Sequence, residues 1–259
     1  MTAGTAPEET PDTGASRRGI VALVVWLLVS SVGAVGLLAV QPLLGLDMEV
    51  LSPVMFAPAI GALAAWVFVR GGVPRFGTAV SGGPFTIAVL LSLAASAIYF
   101  LWVSLVRGDA PEIPGTVAGV PVAMMVLAQA LGALGEEIGF RGLLLHGLNR
   151  WTTWPISAVV TGLLFGFWHV QYYGLPPLEF LVFVLGAVAL TLTMAAVMVG
   201  SFWQRMMICT IIHTGANLAL AFTGGDHVAL TTFGGAMVVA AVVIVPTALL
   251  LRRKGGTAG

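Results

Sequence analysis

The chain has 259 residues, 58% of them hydrophobic and only 8% charged, with a formal net charge of zero and a mean hydropathy of +1.02. That composition excludes an ordinary soluble domain, and the lack of a basic run outside the chain ends excludes a nucleic-acid footprint. The single cysteine, Cys209, excludes a disulfide framework or a cysteine-built metal site within one chain, and reads as a small buried hydrophobe.

Residues 1–18, rich in Thr, Pro, Gly and Glu and ending at Arg17-Arg18, read as a disordered cytoplasmic tail. The apolar segment from Gly19 to about Val40 is longer than the apolar region of a signal peptide and long enough to span, so it reads as an uncleaved first helix. Seven further apolar stretches follow, at roughly 53–69, 84–106, 117–147, 154–171, 178–200, 206–223 and 230–251. The expected fold is therefore all-α: a bundle of about eight transmembrane helices forming one domain over 19–251, with a short cytoplasmic tail at 252–259. The stretch 117–147 is too long for one perpendicular crossing, so its C-terminal part is expected to tilt or run along the interface. The stretch 154–171 is short, and its neighbours are expected to bury its polar end.

Loop charges fix the expected orientation. With both termini in the cytoplasm, Arg17, Arg18, Arg70, Arg75, Arg150, Arg205, Arg252, Arg253 and Lys254 all fall inside, and only Arg107 falls outside. Asp47, Glu49, Asp109, Glu112 and Asp226 land on the opposite face. The aromatic residues Trp151, Trp154, Trp168, Tyr172 and Tyr173 read as an interfacial belt. An Ala-, Gly- and Val-rich chain without organelle signals fits a multi-pass protein of a prokaryotic plasma membrane.

Four polar sets break the apolar pattern: Glu136-Glu137 with Arg141, His169, His213 and Asn217. An ionised side chain at mid-bilayer costs roughly 2.5–3.5 kcal/mol on insertion scales, so such a cluster reads as a functional site. Glu137 and Arg141 are four residues apart with Glu first, the favourable order for an ion pair on one helical face. Glu136 sits ~100° around the helix and has no local partner, which suits a general base or acid. His213 and Asn217 share one face of another helix, and Phe165 precedes His169 by one turn. His146, close to an interface, and His227, in a glycine-rich loop, read as structural.

At these residues the chain resembles a known family. Glu136-Glu137-x-x-x-Arg141, Phe165-x-x-x-His169 and His213-x-x-x-Asn217 match, in order, the EExxxR, FxxxH and HxxxN motifs of the CAAX-protease and bacteriocin-processing (CPBP, or Abi) intramembrane endopeptidases, a family that includes the proteases trimming prenylated CAAX tails. The likeness covers about 117–223. It implies hydrolysis of a peptide bond in a membrane-associated or lipidated polypeptide, at or near the cytoplasmic membrane face. Water would be activated by Glu136 with His169, the oxyanion would be held by His213 and Asn217, and Glu137, Arg141 and Phe165 would support the site. The family is commonly labelled metalloprotease, so Glu136, His169 and His213 are also a candidate zinc set of two histidines and a carboxylate. No HExxH signature decides for zinc, and a metal-free glutamate mechanism is the expectation. Two other functions stand beside protease: a non-catalytic membrane scaffold for bacteriocin-type immunity or partner binding, and a proton- or ion-coupled transporter.

Overall fold

The computed structural model describes the backbone over residues 13–222 and 227–256, and side chains almost throughout 14–222 and over 232–253. Among the described residues the chain forms eight helices, as the apolar stretches require: with no water to satisfy a backbone in lipid, each segment must bond internally. These are α1 (Thr13–Val40), α2 (Pro53–Phe68), α3 (Gly82–Arg107), α4 (Val122–Leu148), α5 (Trp154–Trp168), α6 (Pro177–Val197), α7 (Phe202–Ala221) and α8 (His227–Gly256). A two-residue hairpin, β1 (Thr116–Val117) with β2 (Val120–Pro121), leads into α4. α1, α3, α4, α6 and α8 are long and apolar enough to cross a membrane, α2 and α5 are shorter apolar helices, and the chain is a polytopic helical membrane protein.

Three expectations about boundaries change. α1 begins at Thr13, so Arg17 and Arg18 lie on a helix rather than in a tail; residues 1–12 are outside the described residues. α8 continues through Arg252 and Arg253 to Gly256, replacing the expected tail at 252, and residues 257–259 are outside the described residues. The C-terminal part of α4 does not run along an interface. Ile138–Leu145 is π-helical and buried within the bundle, because α2, α5 and α7 pack around it.

The helices alternate in direction, and contacts at each end bind the connections together. At one end Trp151 donates from Nε1 to Ser16 Oγ at 3.0 Å, Arg150 to the Gly72 carbonyl at 3.1 Å and Arg252 to the Met198 carbonyl at 2.8 Å. Gln204 helps to start α7 through a capping box with Ser201. The same side chain also bonds the backbone N–H and carbonyl of Val80, fastening the α2–α3 loop to α7. His146 belongs to this end, with Nε2 3.0 Å from the Arg75 carbonyl and its ring stacked on Phe76, which agrees with a structural reading. His227 opens α8, but its side chain is outside the described residues, as is Asp226.

Small residues set how closely the site-bearing helices approach. A Cβ on Gly162 of α5 would lie 2.5 Å from Val188 Cα of α6, and one on Gly139 of α4 would collide with Pro58 of α2. Any larger residue at either position forces those helices apart. Between them, Phe140 packs edge-on against Trp26 of α1 and Phe165 of α5, joining the N-terminal helices to the site.

Candidate active site

The centre of the site is the carboxylate of Glu137, wholly buried and held from two helices. Arg141 donates from Nη1 to Glu137 Oε1 at 2.9 Å, the expected one-turn pair on α4. From α7, His213 donates through Nδ1 to the same oxygen at 2.6 Å. Arg141 also donates from Nη2 to Thr191 Oγ1 of α6 at 2.7 Å, and Thr191 in turn donates to the Ala187 carbonyl one turn back. Three helices are therefore joined through one ion pair. Removing either partner would strand a buried charge, which is why such pairs are costly to break.

Glu136 lacks a local partner, as expected, but it has a distant one. Its Oε2 lies 3.4 Å from Nε2 of His213. With the Nδ1–H committed to Glu137, His213 faces Glu136 through its other nitrogen, and two lone pairs across that gap would repel. The contact is favourable when one proton lies between them, which makes His213 and Glu136 a proton-sharing pair. Glu136 keeps 4% of its surface exposed and Glu137 none, so of the two only Glu136 retains access to water.

His169 caps the C-terminal end of α5 at φ −82°, ψ 67°, just beyond the last helical turn. Its Nδ1 donates to the Phe165 carbonyl at 2.8 Å, which fixes the tautomer and leaves Nε2 as an acceptor. Phe165 is the hub of the three motifs. The Arg141 guanidinium lies 4.4 Å from its ring centre, and the His169 and His213 rings meet its face or edge at 4.7 and 5.5 Å.

His169, His213 and Asn217 all line a single cavity of about 60 Å³, several times the ~10–15 Å³ that one water needs. Tyr172 and Phe183 supply its aromatic wall. Burial, aided by the nearby Glu136 carboxylate, pushes the Tyr172 phenol above its ordinary pKa and keeps it a neutral hydrogen-bonding group. Tyr172, stacked on His169 at 6.0 Å, and Trp168, packed edge-on against Phe140, are half-buried and pack against site residues, which the spacing of aromatics alone does not reveal.

Other expected arrangements are only partly present. His169 and Glu136 make no hydrogen bond to each other; His169 bonds Phe165 instead. Asn217 makes no bond to His213 and donates from Nδ2 to Gln129 Oε1 of α4 at 3.2 Å. Gln129 in turn donates to the Val50 carbonyl at 3.0 Å, so its amide is oriented with the oxygen towards Asn217. Gln129 and Thr191 escaped the sequence reading. Gln129 carries a usable signal: it is seven residues before Glu136, two turns along the same face, in an otherwise apolar stretch. Thr191 carries little, because a threonine in a membrane helix commonly bonds its own backbone.

The candidate zinc set does not fit the residues as placed. Among the described residues no three His, Cys, Asp or Glu side chains converge on a metal position, and His213 has both nitrogens turned to carboxylates.

Residues 118–219 match the family of type II CAAX prenyl endopeptidases described as Rce1-like, a stretch holding all three motifs and the cavity-lining ends of α5, α6 and α7. Over that stretch the chain is similar to the Rce1-like CAAX proteases. No curated protein matches the chain as a relative. The Rce1-like family is one of endopeptidases, and the match implies a protease with a polypeptide substrate.

Proposed function

We propose that the chain hydrolyses a peptide bond of a membrane-associated or lipidated polypeptide, with Glu136 as general base and no metal in the chemical step. The observation that carries this reading is the unequal treatment of two adjacent glutamates: Glu137 is paired with Arg141 and wholly buried, while Glu136 is paired with His213 alone and keeps a small exposed surface. A water held beside His213 donates one hydrogen to Glu136 and the other to the free Nε2 of His169, which aims the water's lone pair at the scissile carbonyl carbon. As the water oxygen bonds to that carbon, its proton passes to Glu136. The carbonyl oxygen becomes an oxyanion and accepts hydrogen bonds from His213 Nε2–H and the second Asn217 N–H, donors already in place before charge develops. Glu136 then returns the proton to the departing amine as the C–N bond breaks. Glu137, Arg141 and Phe165 hold His213 at the required angle. The apolar and aromatic cavity wall suits a substrate segment carried in or on lipid.

The test is cleavage of a panel of quenched lipidated peptides by the purified wild type and by Glu136→Gln, with and without chelator. Glu136→Gln is expected to lose ~10²–10⁴-fold in rate while keeping its melting temperature. Wild-type rates in the variant would sink the assignment of the base, and loss of activity to chelator with recovery on adding zinc would sink the metal-free reading.

A further inference from the structure

The depth of the cavity along the helices says from which side the substrate comes. Its walls are built from one half of the bundle. α7 runs from the end bearing Arg205 to the opposite end at Ala221. Asn217 lies four residues before that terminus, about 6 Å, and His213 eight residues before it, about 12 Å. α6 enters from the same terminus at Pro177, with Phe183 six residues in, about 9 Å. His169 and Tyr172 come from the α5–α6 connection at that end. α5 itself has 15 residues, about 22 Å of rise, shorter than a ~30 Å hydrocarbon core.

The other half is closed. Between the Glu137–Arg141 pair and the opposite end, Leu143, Leu145, Met194 and Ile208 are all buried and packed together, with the π-helical part of α4 filling the space. Among the described residues, no side chain lining the cavity comes from beyond that pair.

The two ends differ equally in charge. Of the 11 Lys and Arg residues, Arg141 is in the core, Arg107 is at the cavity end, and the remaining nine lie at the closed end. Asp47, Glu49, Asp109, Glu112 and Glu179 lie at the cavity end. The bias of Lys and Arg assigns the closed end to the cytoplasm. We infer that the enzyme takes its peptide from the non-cytoplasmic face of the membrane, so that its substrates are membrane-associated segments exposed on that side. This rests on the peptidase reading above and replaces the expectation of cleavage at the cytoplasmic face.

Two measurements on the full-length protein test it. Cys209 is buried, so a cysteine introduced at an exposed end position is the accessible thiol. In spheroplasts, Glu112→Cys should react with a membrane-impermeant maleimide, and Arg253→Cys should react only after permeabilisation. In proteoliposomes of one orientation, wild type should cleave a quenched, acyl-anchored peptide at least ten times faster from the Glu112 side than from the Arg253 side. Labelling of Arg253→Cys in intact spheroplasts, equal cleavage from both sides, or faster cleavage from the Arg253 side overturns the inference. The same peptide in detergent separates the two failures. Activity in detergent with the wrong sidedness rejects the direction of entry alone, whereas silence in detergent as well rejects the peptidase reading with it.

Discussion

Two adjacent residues on one helix, Glu136 and Glu137, have been given opposite environments. Glu137 accepts from Arg141 and His213 on one oxygen and is wholly buried; the Arg141 that it holds is tied on to Thr191 of a third helix. Around Glu136, His169 and Asn217 the contacts are sparser: one shared proton with His213, one bond to the Phe165 carbonyl, one bond to Gln129. A step of ~100° around α4 is enough to separate them, since it turns one side chain to Arg141 and His213 Nδ1 and the other to His213 Nε2 alone. The dense network builds the site, and the sparse set retains the unspent hydrogen-bonding capacity that chemistry needs.

Mutations should divide along the same line. The largest effect on rate is expected for Glu136→Gln, with folding intact. Glu137→Ala should act instead through stability, by about 3–5 kcal/mol, because Arg141 and His213 are left without their shared acceptor. It would be read as a lower melting temperature and poor recovery from detergent, with a smaller loss of kcat in the folded fraction because His213 loses its anchor. If Glu137→Ala melted like wild type yet was inactive, the two glutamates would not differ as described. Asn217→Ala should lower kcat by ~10²–10³-fold with little change in KM, as expected for a donor engaged only when the oxyanion forms. Equal effects on binding and turnover would instead make Asn217 a substrate anchor. Gln129→Leu should give the smallest effect, a loss of about tenfold or less in kcat, because it releases the orientation of the Asn217 amide without removing it. Combining it with Asn217→Ala should add nothing further, and additive losses would place Gln129 in another role.

The eight helices were legible because eight separate apolar stretches run along the chain, most of them longer than a soluble core would need, and the Glu137–Arg141 pair was legible because both partners lie on one helix at one-turn spacing. The contact between His213 and both glutamates was not, since it depends on how α7 is rotated against α4, and no local pattern records that angle. The packing of Tyr172 and Trp168 against the site was hidden for a related reason. An aromatic at the end of an apolar helix looks the same in sequence whether it faces lipid headgroups or folds back over a cavity. The early stop of α5 decides between the two, and that stop follows from the backbone of His169 rather than from any breaker residue. Gln129 shows the opposite case, a residue whose two-turn spacing from Glu136 held the information in plain view.

The π-helical stretch Ile138–Leu145 has a further consequence for how this chain tolerates change. A π-turn holds one residue more than an α-turn, so the stretch has a residue to give up that ordinary α-helix lacks. Deleting one of them would let the backbone relax towards an ordinary α-turn while leaving Glu136 and Glu137 where they are. The far end would then stay close to its present phase, with His146 near the Arg75 carbonyl and Arg150 near Gly72. The same deletion in the α-helical part of α4 would swing everything beyond it by ~100° and break both contacts.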